Sequence, residues 1–320
     1  PVTTKGGSDS ASRRAHSAPV PVGPHSSMLP RAWAVSAVPS TKGRRNALTT
    51  CPTQPMPTTT PAPAPIFITA ASNPLFKALT RLVQHPGDYR KQGQIWLEGD
   101  HLCRAALARG LRAQCAIFSS SLWQAGVAPE LLQADKILVM ADDLLAKISP
   151  LPSPASMGYL LDCTHLLPDT SAINPNTNTV VLDRIQDAGN VGSILRSASA
   201  MGFKQILAIK GTAALWSPKV LRAGMGAHFD LQLFEGLHPS DLQHLQTPLL
   251  VTHLQGQHML HLAQLPQPCA WVFGHEGQGV QPALVDMAHL LLRITQPGGE
   301  ESLNVAAAAA ICLHSSAAAR

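Results

Sequence analysis

The chain lacks the cysteine spacings that hold zinc or build a disulfide framework. Its six cysteines are scattered over 320 residues, and no two of them form a C-x-x-C pair. This distribution argues against both kinds of site and fits a reducing cytoplasm, where we expect the protein to reside. Cys163, Cys269 and Cys312 lie within apolar runs, so we predict that they are small buried residues of the core.

Long apolar runs and internal repeats are also missing. Apolar residues make up 45% of the chain, yet no run reaches the roughly 18 residues that cross a bilayer. We therefore expect no membrane segment. Repetition at the periods typical of solenoid proteins is not seen either. The length suits about two domains.

Acidic residues are almost absent from residues 1–65, which hold one aspartate beside seven lysines and arginines. This segment is rich in Pro, Ser, Thr and Ala, and we predict a disordered leader. It resembles a transit peptide but shows no convincing amphipathic helix. Because the chain begins with Pro1, a start at Met28 or Met56 is open, and we favour an over-extended leader over a targeting signal.

The rest of the chain is close to electrically neutral. It carries 17 basic and 18 acidic residues, so the net charge of +5 and the isoelectric point near 9.0 originate in the leader. Within this part, residues 70–112 hold seven lysines and arginines against three acids. Either contact with a polyanion or an ordinary solvated surface explains that local excess.

Predicted strands and helices alternate in two successive regions. Residues 66–155 form a smaller region, where Asn73 and Pro74 predict the start of a helix. Residues 156–320 form a second region with stronger alternation, which ends in an alanine-rich helix over 303–314. Such alternation implies two α/β domains with mostly parallel sheets. The predicted strands cover 94–98, 114–118, 136–140, 157–161, 179–183, 205–209, 249–252, 270–274 and 290–294.

The first of three motifs reads Asn-Val-Gly-Ser-Ile-Leu-Arg-Ser over residues 190–197 and opens a helix predicted over 191–201. Asn190 is explained either as the helix N-cap or as a functional amide. Gly192 allows another backbone or a substrate to come close. Arg196 lies off the apolar stripe of this helix. Its side chain is either an ordinary solvent-exposed arginine or a planar guanidinium that binds phosphate.

The second motif reads Gly-His-Glu-Gly-Gln-Gly over residues 274–279 and follows the strand predicted over 270–274. Its three glycines allow the loop backbone to wrap a ligand. The spacing differs from the G-x-G-x-x-G of a dinucleotide site. Glu276 is either an exposed loop carboxylate or a functional group, and we predict that His275 is a bystander.

The third motif reads Ser-Leu-Asn-Val over residues 302–305 and opens the final helix. Ser302 is suited to capping that helix. Asn304, which precedes a buried alanine-rich run, is harder to explain by packing. A helix N-terminus at this point also favours an anionic ligand.

In this order, the three motifs resemble the SpoU (TrmH) family of RNA 2′-O-ribose methyltransferases, within the SPOUT superfamily. The resemblance covers about residues 179–316, and residues 73–121 resemble the family's L30e/L7Ae-like substrate-binding domain. The chain departs from the family at Ile294-Thr295-Gln296, where Ile-Pro-Met is usual, and at Ala306, where serine is common.

The resemblance implies an α/β fold in which a SPOUT-type parallel sheet with a C-terminal trefoil knot binds S-adenosylmethionine without a metal. It also implies a homodimer with the site near the subunit interface. The family's catalytic residues correspond to Arg196, Asn190, Glu276, Ser302 and Asn304. Those expected to bind the cofactor are Gly274, Ile294, Leu303, Thr252, Gly279 and Gly298. Those expected to bind RNA are Lys77, Arg81, Arg90 and Lys91.

The function implied is methylation of a ribose 2′-hydroxyl in structured RNA. We favour 23S rRNA over tRNA, because the appended domain is of the substrate-binding type. One alternative is a non-catalytic RNA-binding or ribosome-associated protein that kept the fold, but Arg196, Glu276 and Asn304 are all present. A Rossmann-type nucleotide enzyme is the other alternative, and residues 183–186 do not supply its glycine-rich turn.

Overall fold

The structure is a computed structural model that describes residues 62–298 and 302–319. Most of the predicted leader, residues 1–61, lies outside the described residues. The described residues belong to one compact unit. No helix in the described part of the chain has the length and apolar character needed to cross a membrane.

Helices and strands alternate through both regions, as the sequence predicts. In the first region they are β1 (Pro65–Ile68), α1 (Pro74–Gln84), α2 (Tyr89–Gln92), β2 (Gln94–Glu98), α3 (Asp100–Leu107), β3 (Ala113–Ser119), α4 (Ser120–Ala125), β4 (Ala134–Met140), α5 (Asp142–Ile148) and β5 (Met157–Asp162). In the second they are β6 (Thr179–Asp183), α6 (Ala188–Ala200), β7 (Gln205–Ile209), α7 (Pro218–Gly224), β8 (Gln232–Leu237), β9 (Leu249–Thr252), β10 (His258–Met259), β11 (Ala270–Gly274), α8 (Pro282–Val285), β12 (Leu290–Arg293) and α9 (Val305–Ala318).

The first sheet has the order β1-β4-β3-β5-β2, and β5 runs antiparallel to both of its neighbours. The expectation of a mostly parallel sheet therefore needs correction here. Glu98, at the end of β2, accepts hydrogen bonds from the Ser149 hydroxyl at 2.6 Å and the Ala155 amide at 3.1 Å. These bonds hold the proline-rich connection beside the carboxyl end of β2, so β5 starts there and runs back. Because β5 belongs to this sheet, the boundary predicted at 155/156 falls before its last strand.

The second sheet has the order β10-β12-β9-β11-β6-β7-β8, and all its neighbouring pairs are parallel. This confirms the parallel sheet predicted for the second region. The central strands β6 and β7 are buried at every residue. Strands β1, β8 and β10 were not predicted. All three lie at sheet edges, where one side of the strand is unpaired, although the edge strand β2 was predicted.

The parallel pairing brings the motifs to one edge of the second sheet. Asp183 at the end of β6 pairs in register with Gly274 at the end of β11, and β9 lies on the other side of β11. The carboxyl ends of neighbouring parallel strands meet at the same edge, which is where ligands bind in open α/β sheets. The motif-bearing segments after β6, β11 and β12 therefore converge.

Gly192 allows α6 and α7 to pack closely. A Cβ at this position would lie 2.4 Å from the Ala223 Cβ and 2.7 Å from the Val220 carbonyl oxygen. We expect Gly192→Ala to lower the free energy of unfolding by about 1–3 kcal/mol, because both helices must separate. Thermal unfolding measures this. Gly277→Ala is the control, since its Cβ would meet no atom closer than 3.8 Å; equal melting temperatures for the two variants would contradict the packing argument.

Glu235, on β8, ties the first region to the second sheet. Its carboxylate accepts hydrogen bonds from the Tyr89 hydroxyl at 2.7 Å, Arg90 Nη2 at 2.6 Å and the Leu215 amide at 2.8 Å. Tyr89 is buried, and burial together with the Glu235 charge raises the pKa of its hydroxyl. These contacts join the first region to the second sheet and so act on the relative position of the two regions.

We expect Glu235→Ala to lower the free energy of unfolding by about 2 kcal/mol, because it leaves two buried donors without their acceptor. For a chain of this size the melting temperature should fall by about 4–8 °C. Tyr89→Phe removes one donor and keeps the acceptor, so its effect should be smaller. A larger loss for Tyr89→Phe than for Glu235→Ala in thermal unfolding contradicts this ranking.

Candidate active site

The loop after β11 is closed by its own backbone. The His275 amide donates to the Gly279 carbonyl at 3.1 Å, and the Gly279 amide donates to the His275 carbonyl at 2.8 Å. Gly279 has a φ of 69°, which favours glycine. His275 Nδ1 accepts from the amides of Gly277 and Gln278 at 3.0 and 3.2 Å. His275 is therefore part of the loop architecture, and its role as a bystander in the chemistry stays a prediction.

Glu276, at the tip of this loop, faces the start of α6. Its carboxylate accepts from the backbone amides of Gln186 and Asp187 at 3.3 and 3.2 Å, and from Asn190 Nδ2 at 3.1 Å. Partial burial raises the pKa of Glu276, but the hydrogen bonds from Asn190 and the backbone outweigh it and leave this pKa below its ordinary value. Although exposed, Glu276 is thus a carboxylate held by three N–H donors.

Asn190 lies in the first turn of α6 and does not cap it. The N-cap is Asp187, whose side chain accepts from the Asn190 amide at 2.7 Å, so the helix begins at Ala188, three residues before its predicted start. This corrects the N-cap explanation of Asn190. Because Asp187 satisfies the helix N-terminus, the Asn190 side chain is available for Glu276 and for the third motif.

Asn304 joins the third motif to the first. It is the N-cap of α9, and its Oδ1 accepts from the amides of Ala306 and Ala307 at 2.9 and 3.2 Å. Its Nδ2 donates to Asn190 Oδ1 at 2.9 Å. The N-cap predicted at Ser302 is therefore wrong by two residues, since the helix begins at Val305. We call the chain of hydrogen bonds from Asn304 through Asn190 to Glu276 the motif relay.

A second polar anchor was not predicted from the sequence. Asp183, fully buried at the end of β6, accepts from the Gln281 amide and from Gln281 Nε2, both at 2.7 Å, and from Arg184 Nε at 2.9 Å. The hydrogen bond to Asp183 raises the pKa of Arg184. The backbone of Arg184 is in the left-handed region, with a φ of 57°. Arg184 Nη1 also donates to Gln278 Oε1 at 2.9 Å. These bonds fix the second motif against β6.

The converging segments enclose a cavity of about 290 Å³, which we call the motif cavity. Five of the six residues predicted to bind a cofactor line it, and so do three of the five predicted catalytic residues. The predicted lining residues are Thr252, Gly274, Glu276, Gly279, Ile294, Ser302, Leu303 and Asn304. His253, Arg293 and Gln296 also line it and were not predicted as site residues. His253 directly follows β9 and Arg293 ends β12, whereas Gln296 takes the place of the family's usual methionine.

Some predicted site residues lie elsewhere. Arg196 is exposed on α6, about 9 Å along the helix from Asn190, and it is not among the lining residues. Gly298 is exposed and does not line the cavity either. Asn190 reaches the cavity wall through its bonds to Asn304 and Glu276. The second and third motifs thus line the motif cavity, and the first motif is joined to its wall by the hydrogen bonds of Asn190.

The residues predicted to bind RNA fall into two groups. Lys77 and Lys91 are exposed on α1 and α2. Arg81 pairs with Asp88 at 3.3 Å on the surface. Arg90 is bound to Glu235 at 2.6 Å, so it serves the contact between the two regions. Because its guanidinium is already paired, Arg90 is less available to phosphate than the two lysines, and its contact with RNA stays a prediction.

Comparisons with known proteins agree with this arrangement. The sequence model of the SpoU rRNA Methylase family matches residues 177–314. A tRNA/rRNA methyltransferase of Synechocystis sp., itself described as uncharacterized, is 32% identical over 275 residues, which cover 77% of this chain and 92% of that protein. The Bacillus subtilis 23S rRNA (guanosine(2553)-2′-O)-methyltransferase RlmP is 26% identical over 228 residues, which cover 70% and 88% of the two chains.

Solved structures give the same result for the fold. The chain resembles the crystal structure of an RNA 2′-O ribose methyltransferase with a TM-score of 0.65 and 27% identity, over 78% of this chain and 97% of that one. The match therefore spans both sheets, beyond the segment that carries the motifs. The chain belongs to the SpoU rRNA methylase family and is an RNA methyltransferase of that family.

Proposed function

We propose that this chain transfers a methyl group from S-adenosylmethionine to a ribose 2′-hydroxyl in structured RNA, with 23S rRNA favoured over tRNA. The motif relay is the observation that carries this proposal. It joins Asn304, Asn190 and Glu276 at the wall of the motif cavity with distances of 2.9 and 3.1 Å. These two bonds hold together side chains from three segments that lie far apart in the sequence.

The residues present fit the methyl donor. The motif cavity of about 290 Å³ approaches the volume typical of small-molecule sites. Gly274, Ile294 and Leu303 border it, and the buried Gln296 Oε1 has no hydrogen-bond partner. These residues would hold the donor by shape and by a few polar contacts. When bound, S-adenosylmethionine supplies an activated methyl group to an oxygen held in line.

The motif relay positions polar groups beside that cavity. The Glu276 carboxylate holds the Asn190 amide, which in turn fixes the Asn304 side chain at the start of α9. Asn304 and Ser302 border the cavity where the ribose or the methionine end would lie. Arg196 clamps a neighbouring phosphate and stabilises negative charge that develops on the ribose oxygen. A phosphate oxygen or water accepts the proton, because a guanidinium does not give up its own.

The first region is proposed to bind the RNA as an L30e/L7Ae-like domain. Lys77 and Lys91 are exposed and free to meet phosphate, unlike Arg90. We expect the double variant Lys77→Glu, Lys91→Glu to bind RNA more weakly at low salt. The slope of the logarithm of affinity against the logarithm of salt concentration should become shallower by about one for each lost phosphate contact. Filter binding across a salt series measures this. An unchanged slope would remove these two lysines from the interface.

Three further features of the family complete the proposal. A C-terminal trefoil knot is supported by β12, which inserts between β9 and β10, and by α9, which then packs against α6 and β11. A homodimer is supported by exposed apolar side chains, among them Leu254, Leu262 and Ile311. Sedimentation would test the dimer. Residence in the cytoplasm and the absence of a metal remain predictions.

The decisive experiment maps 2′-O-methyl positions in total RNA from cells with and without the gene. One position should lose its methyl group and regain it when the purified protein and S-adenosylmethionine are added to that RNA. Calorimetry with S-adenosylhomocysteine tests the donor site independently. Loss of no position, or no binding of S-adenosylhomocysteine, would overturn the proposed function; loss of a tRNA position would overturn the preference for rRNA.

A further inference from the structure

Gln296 places a buried and unpaired acceptor at the motif cavity. Four residues in the described part of the chain bury a side-chain polar atom without a hydrogen-bond partner: Trp216, His228, Thr247 and Gln296. Of these four, only Gln296 lines the motif cavity. An unpaired buried acceptor destabilises the fold, and a ligand that donates a hydrogen bond to it removes this effect.

The backbone around Gln296 is fixed by its neighbour. The Thr295 hydroxyl lies 3.2 Å from His261 Nδ1 and 3.8 Å from Met259 Sδ. These contacts tie the segment after β12 to the end of β10 and to the short helical turn that follows it. Thr295, in place of the family's usual proline, therefore anchors the segment that precedes Gln296 by hydrogen bonding.

We propose that Gln296 contacts the methyl donor directly and accepts, through Oε1, a hydrogen bond from one of its N–H or O–H groups. The inference rests on the proposed function for its ligand. Methionine, usual at this position in the family, offers only a weak sulfur acceptor. The chain thus adds a polar contact that favours ligands with a donor at the matching position, since a ligand without it leaves Oε1 buried and unpaired.

Calorimetry with S-adenosylhomocysteine tests this proposal, because that product carries the same N–H and O–H groups. We expect Gln296→Met to weaken binding about tenfold, the value of one buried hydrogen bond. Gln296→Glu keeps an acceptor of the same shape and should bind within about threefold of the unmodified protein. Gln243→Met, at an exposed residue before β9, is the matched control and should leave the affinity unchanged.

The ligand-free protein provides a second measurement. Because Gln296→Met removes an unpaired buried acceptor, its melting temperature without ligand should not fall, while the increase produced by S-adenosylhomocysteine should shrink. A purely structural role of Gln296 predicts the opposite pattern.

Two further ligands, adenosine and S-inosylhomocysteine, identify the group of the ligand that donates to Gln296. If Gln296→Met no longer weakens binding of S-inosylhomocysteine, the donor is the adenine amine. If it does not weaken binding of adenosine, the donor lies at the amino acid end.

Three results would overturn the proposal. They are equal affinities of Gln296→Met and the unmodified protein, equal losses in the Met and Glu variants, and a fall in the ligand-free melting temperature that accounts for the loss. Each presupposes that the unmodified protein binds S-adenosylhomocysteine. If it does not, the proposed function fails, and that outcome is distinct from failure of the inference about Gln296.

Discussion

Arg196→Ala should reduce RNA 2′-O-methylation about a hundredfold to a thousandfold while the affinity for S-adenosylhomocysteine stays within about twofold. The size follows from removing one charged donor that stabilises developing negative charge in the transition state. The cofactor affinity should persist because Arg196 is exposed on α6 and does not line the motif cavity. Single-turnover methylation assays and calorimetry measure the two quantities separately.

Two variants make this result interpretable. Arg196→Lys keeps the charge and loses the planar fork, so an intermediate rate is expected. Arg222→Ala, at another exposed arginine on the neighbouring helix α7, should leave methylation nearly unchanged. Full activity in Arg196→Ala would refute the role assigned to its guanidinium. A parallel loss of cofactor affinity would show that Arg196 acts on the donor site instead.

Glu276→Gln should lower the methylation rate about a hundredfold with a smaller effect on cofactor affinity. Its carboxylate accepts three N–H groups, and an amide turns one acceptor into a donor that faces the Gln186 amide. Asn190 and Asn304 then shift, and a displacement of about 1 Å in a positioning group costs this much in rate. Steady-state kinetics should show the loss in kcat. Glu130→Gln, an exposed carboxylate on the first region, is the control.

The pH dependence of stability follows from the direction in which the pKa of Glu276 is shifted. Since hydrogen bonds lower the pKa of Glu276 in the folded protein, its carboxylate stabilises the fold above about pH 4.3 and loses that effect as the pH falls through the lowered pKa. The difference in unfolding free energy between the unmodified protein and Glu276→Gln should be constant from about pH 6 to 8 and shrink below about pH 4. A difference that instead shrinks towards alkaline pH contradicts this assignment.

The central strands were predictable because burial on both faces leaves a continuous apolar run. Thr179–Asp183, Gln205–Ile209 and Ala270–Gly274 begin and end where the sequence predicts. The edge strand Gln232–Leu237 was not predicted, since its buried residues are interrupted at Gln232, Glu235 and Gly236. The cap of α1 at Asn73 was predicted correctly, but the caps of α6 and α9 were missed. Asn190 and Ser302 are both reasonable caps by type, and only the backbone path makes Asp187 and Asn304 the residues used.

The sequence by itself determined the parallel second sheet, the three motifs and their order, because apolar periodicity and residue type are local properties. The tertiary structure decided which side chains meet. Asn190 and Asn304 lie 114 positions apart, and their 2.9 Å contact depends on strand order and register. The same holds for Arg90, whose partner Glu235 lies 145 positions away. Hydrogen bonds between distant segments are set by geometry that no local pattern encodes.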